Sequence, residues 1–475
     1  MNVKKDSAGN IKSDLKMLFK GLRPLDLVLF LSIALGSIFL YQYFYDQYIQ
    51  VLQSKDLISV TSQGKVLQFY DYVLEKAVSG GYGSEPSIYD AAYYNIFLYA
   101  ALAIIILPWV IFSKVTAITY NYFALSFYIK TVLLLLVIFS SYFVYRTCKA
   151  FTLSDEKSKT ASILFLTSSI VLYASVGFNQ LDIIYILFLI LALEQYGKRH
   201  LFRFSFLISF AIMLKTFPVA ICIPMILLIE KRPLKILEYG LATAIAPIVY
   251  STVFSFSEGY VTSQKVINSS YSFSDSLFQN GIEGGLFPIS LMIIGMVFIC
   301  SWAYSIKVTD SISLYKMVML FGTAIYGMFF IFVSWHSQWG ILLALFTSML
   351  LPVLPNTKLI IYVDTVMSLS YLISVFAHNP ANIYMLNNGL LTVLTRKTIP
   401  HEITGGDPIH NIGVFVFSVF AACILELIFF GYKSLKLKDT EQEYLSIKRE
   451  DIYLRMAPLL AFQTILFVFF FIFAR

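Results

Sequence analysis

Apolar residues recur along this chain in continuous runs rather than in the alternation of a half-buried strand. Runs long enough to span a bilayer, allowing for tilt and Pro breaks, fall near 26–45, 93–113, 124–145, 160–177, 181–196, 203–217, 218–230, 235–255, 285–304, 313–333, 339–352, 358–377, 411–431 and 457–474. A membrane barrel would show alternation, so helix is the only element these runs can form. The pattern predicts an all-α, polytopic transmembrane bundle of about 12–14 hydrophobic helices. Residues 1–25 are polar and basic, and no small-residue cleavage pattern follows the first run, which therefore reads as a retained helix.

Lys and Arg orient the bundle. Segments 1–25, 146–159, 197–203, 230–235, 305–316, 353–358 and 432–455 hold about 25 of the 35 basic residues. They alternate with basic-poor segments at 46–92, 178–181, 256–284, 334–338 and 378–410. The first set is expected in the cytoplasm, with the N-terminus, and the second outside. One difficulty follows: 93–145 must then cross an odd number of times, yet it holds two apolar runs. Pro108 with Trp109, and the polar break at 114–121, suggest that one run is re-entrant or lies in the interface.

Composition supports the membrane reading. Only 13% of residues are charged, against about 25% in soluble domains, and the mean hydropathy is +0.75. The 43 Phe and 32 Tyr suit interfacial belts and long apolar grooves. The net charge of +7 is a topology signal, so no nucleic-acid partner is expected. Cys148, Cys222, Cys300 and Cys423 lie far apart and read as small buried hydrophobes. No ligand cluster asks for a metal, no other cofactor is called for, and divalent-metal dependence stays open. Residue usage rich in Ile, Lys, Phe and Tyr points to a bacterial plasma membrane.

The polar segments divide the chain into a cytoplasmic start (1–25), a transmembrane module (26–377) and a final part (378–475). Within the module, 46–92 mixes charges, Gly-Gly-Tyr-Gly at 80–83 and short amphipathic stretches, and reads as a structured lid on the membrane surface. The loop at 378–410 carries His378, Arg396, Lys397, His401 and His410. Segment 432–455 alternates Lys with Glu and Asp and reads as a solvated helix without chemistry. Asn268-Ser269-Ser270 is a common sequon pattern and carries no weight. No sequence repeat occurs, which counts against a transporter built from inverted halves.

Several polar residues at the basic-poor ends of the runs ask for an explanation. Asp182 heads a helix, where the dipole favours a carboxylate; it is either a cap or, with Asn179 and Gln180, part of a polar site wall. Lys215, before Thr216-Phe217-Pro218, either snorkels or holds a phosphate. His336 and Gln338 sit between Trp335 and Trp339, which read as belt residues, in a turn that could do without them. The first loop supplies Asp46, Asp56, Asp71, Glu75, Glu85 and Asp90. Asp46, just past the first run, and Asp71, in an aromatic-rich stretch, are the two candidate bases. P-loop, dinucleotide turn, His-Glu-x-x-His and nucleophile-elbow motifs are all absent.

The order Phe178-Asn179-Gln180-Leu181-Asp182, then Gly197-Lys198-Arg199, then Leu214-Lys215-Thr216-Phe217-Pro218, then Trp335-His336-Ser337-Gln338-Trp339 resembles a known pattern. It is similar to the GT-C superfamily of membrane glycosyltransferases, in particular polyprenyl-phosphate-sugar-dependent, mannosyltransferase-like members. These show Gly-Gln-x-Asp, a basic turn, Lys-x-x-Pro and a His-x-Gln-aromatic loop at similar intervals. The local resemblance covers about 155–235 and 325–352, and the layout of one run followed by a long external loop agrees.

The resemblance implies a sugar donor on a polyprenyl monophosphate in the outer leaflet and a glycan, lipid or protein acceptor. A first-loop carboxylate, Asp46 or Asp71, would act as base in an inverting displacement. Lys215, Gln180 and His336 would meet the leaving lipid phosphate, with Asn179, Asp182 and Gln338 in the same wall. Two rival readings remain: a lipid or polysaccharide transporter or flippase, and a lipid-linked polysaccharide polymerase or ligase using the 378–410 loop.

Overall fold

A computed structural model describes residues 23–41, 45–82, 91–116, 122–270, 289–333, 335–355, 357–378, 385–400, 407–436 and 448–474. Among these residues the elements are helices and no strand occurs, so the fold is the expected all-α bundle. Seven helices are long and apolar enough to cross a membrane, and an eighth span results if one bent pair counts as a single crossing. The chain therefore fits a multi-pass integral membrane protein.

The first helix, α1 (Pro24–Leu40), starts on a Pro, where a missing N–H costs nothing. Three helical pieces follow: α2 (Tyr45–Ser62), a 3-10 turn (Val66–Gln68) and α3 (Phe69–Val78). Lys76 pairs with Asp56 at 2.8 Å, and the Tyr82 hydroxyl donates to the same carboxylate at 2.5 Å, pinning α3 to α2. The Gly pair in this loop closes α3. Gly80 takes φ +78, while the N–H of Gly81 reaches Lys76 O at 2.8 Å and that of Gly80 reaches Ala77 O at 3.2 Å, a Schellman end. Asp56, one of the first-loop carboxylates, is thus committed to an ion pair.

Next come α4 (Ile96–Thr116) and α5 (Tyr122–Ala150), both counted as spans by length and apolarity. Their contacts separate them. The Lys130 ammonium, near the start of α5, donates to Ser37 O and Tyr41 O at the end of α1, at 3.1 and 2.7 Å. Arg146, near the other end of α5, pairs with Glu194 at 2.7 Å, beside the basic turn at Lys198. So α5 runs from the basic-poor end to the basic end.

At the start of α4, the Ile96 N–H donates to Tyr250 Oη at the basic-poor end. Toward its other end, Trp109 lies 6.0 Å, ring to ring, from Tyr128, beside Lys130. The helix also packs along α2.

The bent pair α6 (Asp155–Leu166) and α7 (Ser169–Leu172) turns by 44° at Thr167 and Ser168. It continues through a π turn (Tyr173–Gly177), closed by Phe178 N–H on Tyr173 O at 2.7 Å. Then follow α8 (Asp182–Gly197), α9 (Leu201–Leu214), α10 (Pro218–Ile229), α11 (Pro233–Phe254) and α12 (Glu258–Ser270). The rest of the bundle is α13 (Leu291–Ser305), α14 (Ser311–Phe332), α15 (Gly340–Leu350), α16 (Thr357–His378), α17 (Leu390–Thr395), α18 (Asp407–Lys436) and α19 (Arg449–Phe473). Lys231 bonded to Ala303 O at 2.7 Å ties the basic end of this series together.

The basic segment 146–159 is mostly helix, since α5 runs to Ala150 and α6 begins at Asp155, capped by Ser154. One expectation changes. In 432–455, residues 437–447 lie outside the described ones, and 449–455 is not a solvated helix without partners. It opens α19, where Arg455 is fully buried in an ion pair with Asp364. Arg455 also donates to Leu164 O and Ser348 Oγ, both at 2.8 Å.

Candidate functional site

The site is built where three chain turns meet at the basic-poor end. The first turn leaves the π segment. A π turn adds a residue to the helical register and often marks a functional position. Here it ends at Gly177, whose carbonyl accepts from Lys130 at 3.3 Å. Asn179 then takes a left-handed conformation (φ +59), which Asn tolerates better than most residues. Its amide donates to Ser126 Oγ at 3.1 Å, and its carbonyl accepts from the Gln47 side chain of α2. Asn179 thus has a turn-forming role, while Gln180 beside it is buried.

The turn delivers Asp182 to the head of α8. The cap reading does not hold, because Leu181 is the N-cap and no side chain caps this helix. The Asp182 carboxylate instead lies 3.7 Å from the Lys215 ammonium, with side chains only 5% and 15% exposed. Its second oxygen, Oδ2, has no hydrogen-bond partner among the described residues.

Lys215 belongs to the second turn. It ends α9 in an extended conformation, and Pro218 opens α10 three residues later. Rather than standing isolated among apolar groups, it is paired and flanked by rings. Its ammonium sits 5.2 Å from the Tyr94 ring centre and 5.8 Å from that of Trp339, within reach of both π faces. Phe217 packs on Trp339 at 4.4 Å and fixes the third turn against the second.

The third turn is His336–Trp339. Tyr371 anchors it by donating to Ser337 O and stacks on Trp335 at 5.5 Å and 11°. Trp335 is thus a packing residue, whereas Trp339 belongs to the site itself. His336 packs on Trp339 at 4.8 Å, and the buried Gln338 leaves Oε1 without a partner among the described residues. Burial, and then the nearby Lys215 charge, push the His336 imidazole down to about 4.

That shift carries a prediction. Native His336 stays neutral down to about pH 4, whereas the unfolded side chain takes up a proton near 6.5. Between these values the unfolded state binds more protons, so stability is full above pH 6.5 and falls as pH drops toward 4. Thermal melts of wild type and His336→Phe across that window check this; the variant should show the flatter profile, and parallel profiles would refute it.

The two candidate bases differ. Asp71 is exposed and committed to α12: its Oδ1 accepts from Gly259 N at 2.8 Å and Ser257 Oγ at 2.9 Å, capping that helix. Asp46 stands in the first turn of α2, next to Gln47, which touches the Asn179 turn; its side chain lies outside the described residues. Glu75 is exposed, and Glu85 and Asp90 lie outside the described residues. In the 378–410 loop, His378, Arg396 and Lys397 are exposed; His401 and the His410 side chain fall outside the described residues.

Sequence reading missed Tyr94, Gln47 and Lys130. The signal for Lys130 was present, since a lone Lys within an apolar run is expensive and marks a special position. It is 0% exposed, and the acceptors it is given are the three carbonyls of Ser37, Tyr41 and Gly177. It braces α1 and the π turn against α5, behind the site. Among the described residues no three His, Cys, Asp or Glu side chains gather as a metal site.

No known protein-family model matches this chain, and no curated protein is significantly similar to it. The functional reading therefore rests on the site and on the motif order.

Proposed function

We propose that this protein is an integral membrane glycosyltransferase that moves a sugar from a polyprenyl-phosphate donor to an acceptor on the outer face of the membrane. The observation that carries the reading is the meeting of Asp182, Lys215 and His336. They come from three turns distant in sequence and share one buried, aromatic-walled place at the basic-poor end. By the positive-inside rule that end is external. Aromatic walls suit an isoprenoid chain, and a preorganised ammonium suits a phosphate.

In the proposed reaction, the base takes the proton of an acceptor hydroxyl as its oxygen attacks the anomeric carbon. The anomeric C–O bond breaks, and its electron pair leaves on the phosphate oxygen. The lipid phosphate thereby gains a negative charge, which Lys215 meets and to which neutral His336 can donate an N–H. Asp182 orients the ammonium. We assign the base to Asp46, because Asp71 already caps α12 while Asp46 adjoins the residue that contacts the Asn179 turn.

The test is transfer from polyprenyl-phosphate mannose or glucose by the full chain in vesicles. Asp46→Asn should lower the rate by about 10²–10⁴-fold, the usual contribution of a general base. Asp71→Ala should stay within about threefold while lowering stability by about 1 kcal/mol, as for a lost cap. Full activity in Asp46→Asn overturns the base assignment, and transfer from neither donor by the wild type overturns the donor class.

A further inference from the structure

The α2 helix (Tyr45–Ser62) buries several of its polar residues. In a helix lying on a surface, polar side chains face water and apolar ones face inward. Here Gln47, Gln50 and Ser54 recur at spacings of three and four, so they share one face, and each is at least 97% buried. Gln50 is the sharpest case: at 3% exposure, neither its amide nitrogen nor its amide oxygen has a hydrogen-bond partner among the described residues. The same holds for Gln47 Oε1 and Ser54 Oγ.

Buried primary amides left unpaired are costly and rare, so each one asks what it binds. Helix packing does not require them, because an apolar side chain of the same length would fill the space without that penalty. The face is also attached to the site. Gln47 donates to Asn179 O, three residues before Asp182, and Gln50 lies one turn further along α2.

We propose that the Gln47, Gln50 and Ser54 face of α2 binds the glycosyl group of the donor, and that this group is a neutral hexose. A hexose offers several hydroxyls, each both donor and acceptor. An amide offers two donors and an acceptor in fixed geometry, and a serine hydroxyl adapts to either role. The face carries no charged side chain, so a sugar carboxylate would be buried there without an opposite charge. This inference rests on the glycosyltransferase reading and adds the substrate class.

The experiment uses the full chain in lipid nanodiscs and binding of three phosphodiesters of one polyprenyl chain: methyl, mannosyl or glucosyl, and glucuronosyl. All share the phosphodiester charge, so the methyl ester reports the lipid-phosphate contacts alone. Wild type should bind a hexosyl diester at least tenfold more tightly than the methyl diester, and the glucuronosyl diester more weakly than the hexosyl one. Gln50→Met should remove most of the hexosyl advantage, leave methyl-diester affinity within twofold and not lower the melting temperature. Ser54→Ala, too small a change to disturb folding, should lower hexosyl affinity by about threefold to fivefold.

Equal affinity of wild type for hexosyl and methyl diesters, or an unchanged hexosyl advantage in both variants, overturns the sugar site and leaves the lipid-phosphate reading standing. A preference for the glucuronosyl diester overturns the neutral class. Failure of wild type to bind any of the three overturns the lipid-phosphate reading itself, and the sugar site with it.

Discussion

Replacing Lys215 by Met is expected to lower glycosyl transfer by about 10²–10³-fold, the usual loss when one donor to a developing oxyanion is removed. The methionine keeps the apolar stem between Tyr94 and Trp339 and removes only the charge and its donors. One consequence is structural: the substitution leaves Asp182 buried and unpaired, which destabilises by up to about 3–5 kcal/mol. The double variant Lys215→Met with Asp182→Asn separates the two effects. It should regain most of the wild-type melting temperature and none of the activity. Recovery of activity in the double variant would show that Lys215 serves only to neutralise Asp182. Lys215→Arg should keep part of the rate, since the charge stays while the compact donor geometry changes.

The largest expected stability effect lies at the basic end. Arg455 and Asp364 are each 1% exposed, and the guanidinium also serves Leu164 O and Ser348 Oγ. Four elements, α6, α15, α16 and α19, thus converge on one cation. Arg455→Met should cost about 3–5 kcal/mol, because a buried carboxylate is left without its charge partner. Arg455→Met with Asp364→Leu should recover much of that loss, as buried pairs replaced together by apolar groups often do. Thermal unfolding in detergent, followed by loss of the monodisperse species, checks both. An unchanged midpoint in the single variant would mean that the pair contributes nothing net.

Much of this fold was legible in the chain itself. Runs such as 313–333 and 358–377 coincide with helices α14 and α16 to within a few residues, because a lipid-facing or bundle-facing helix must be apolar over its whole length. The three turns of the site were also visible, as Gln180, Asp182, Lys215, His336 and Gln338 stand out against apolar neighbours. Side-chain roles were less legible. Asp182 had an equally good local explanation as a cap, and only the folded turn, with Leu181 at the N-cap and Lys215 across from the carboxylate, decides against it. Asp71 stayed a rival to the better placed Asp46, since the N-terminus that Asp71 caps belongs to α12, nearly two hundred residues away.

By itself, then, the sequence determined that the chain is a helical membrane bundle, which end of it is basic, and which turns carry unexplained polar groups. These are local consequences of transfer free energy and charge. Tertiary structure alone decided that Arg455 is a buried anchor and that a polar stripe of α2 faces inward. Each of these depends on what a residue meets after folding. A glutamine stripe reads as a solvated face until another turn, here Asn179, is packed against it.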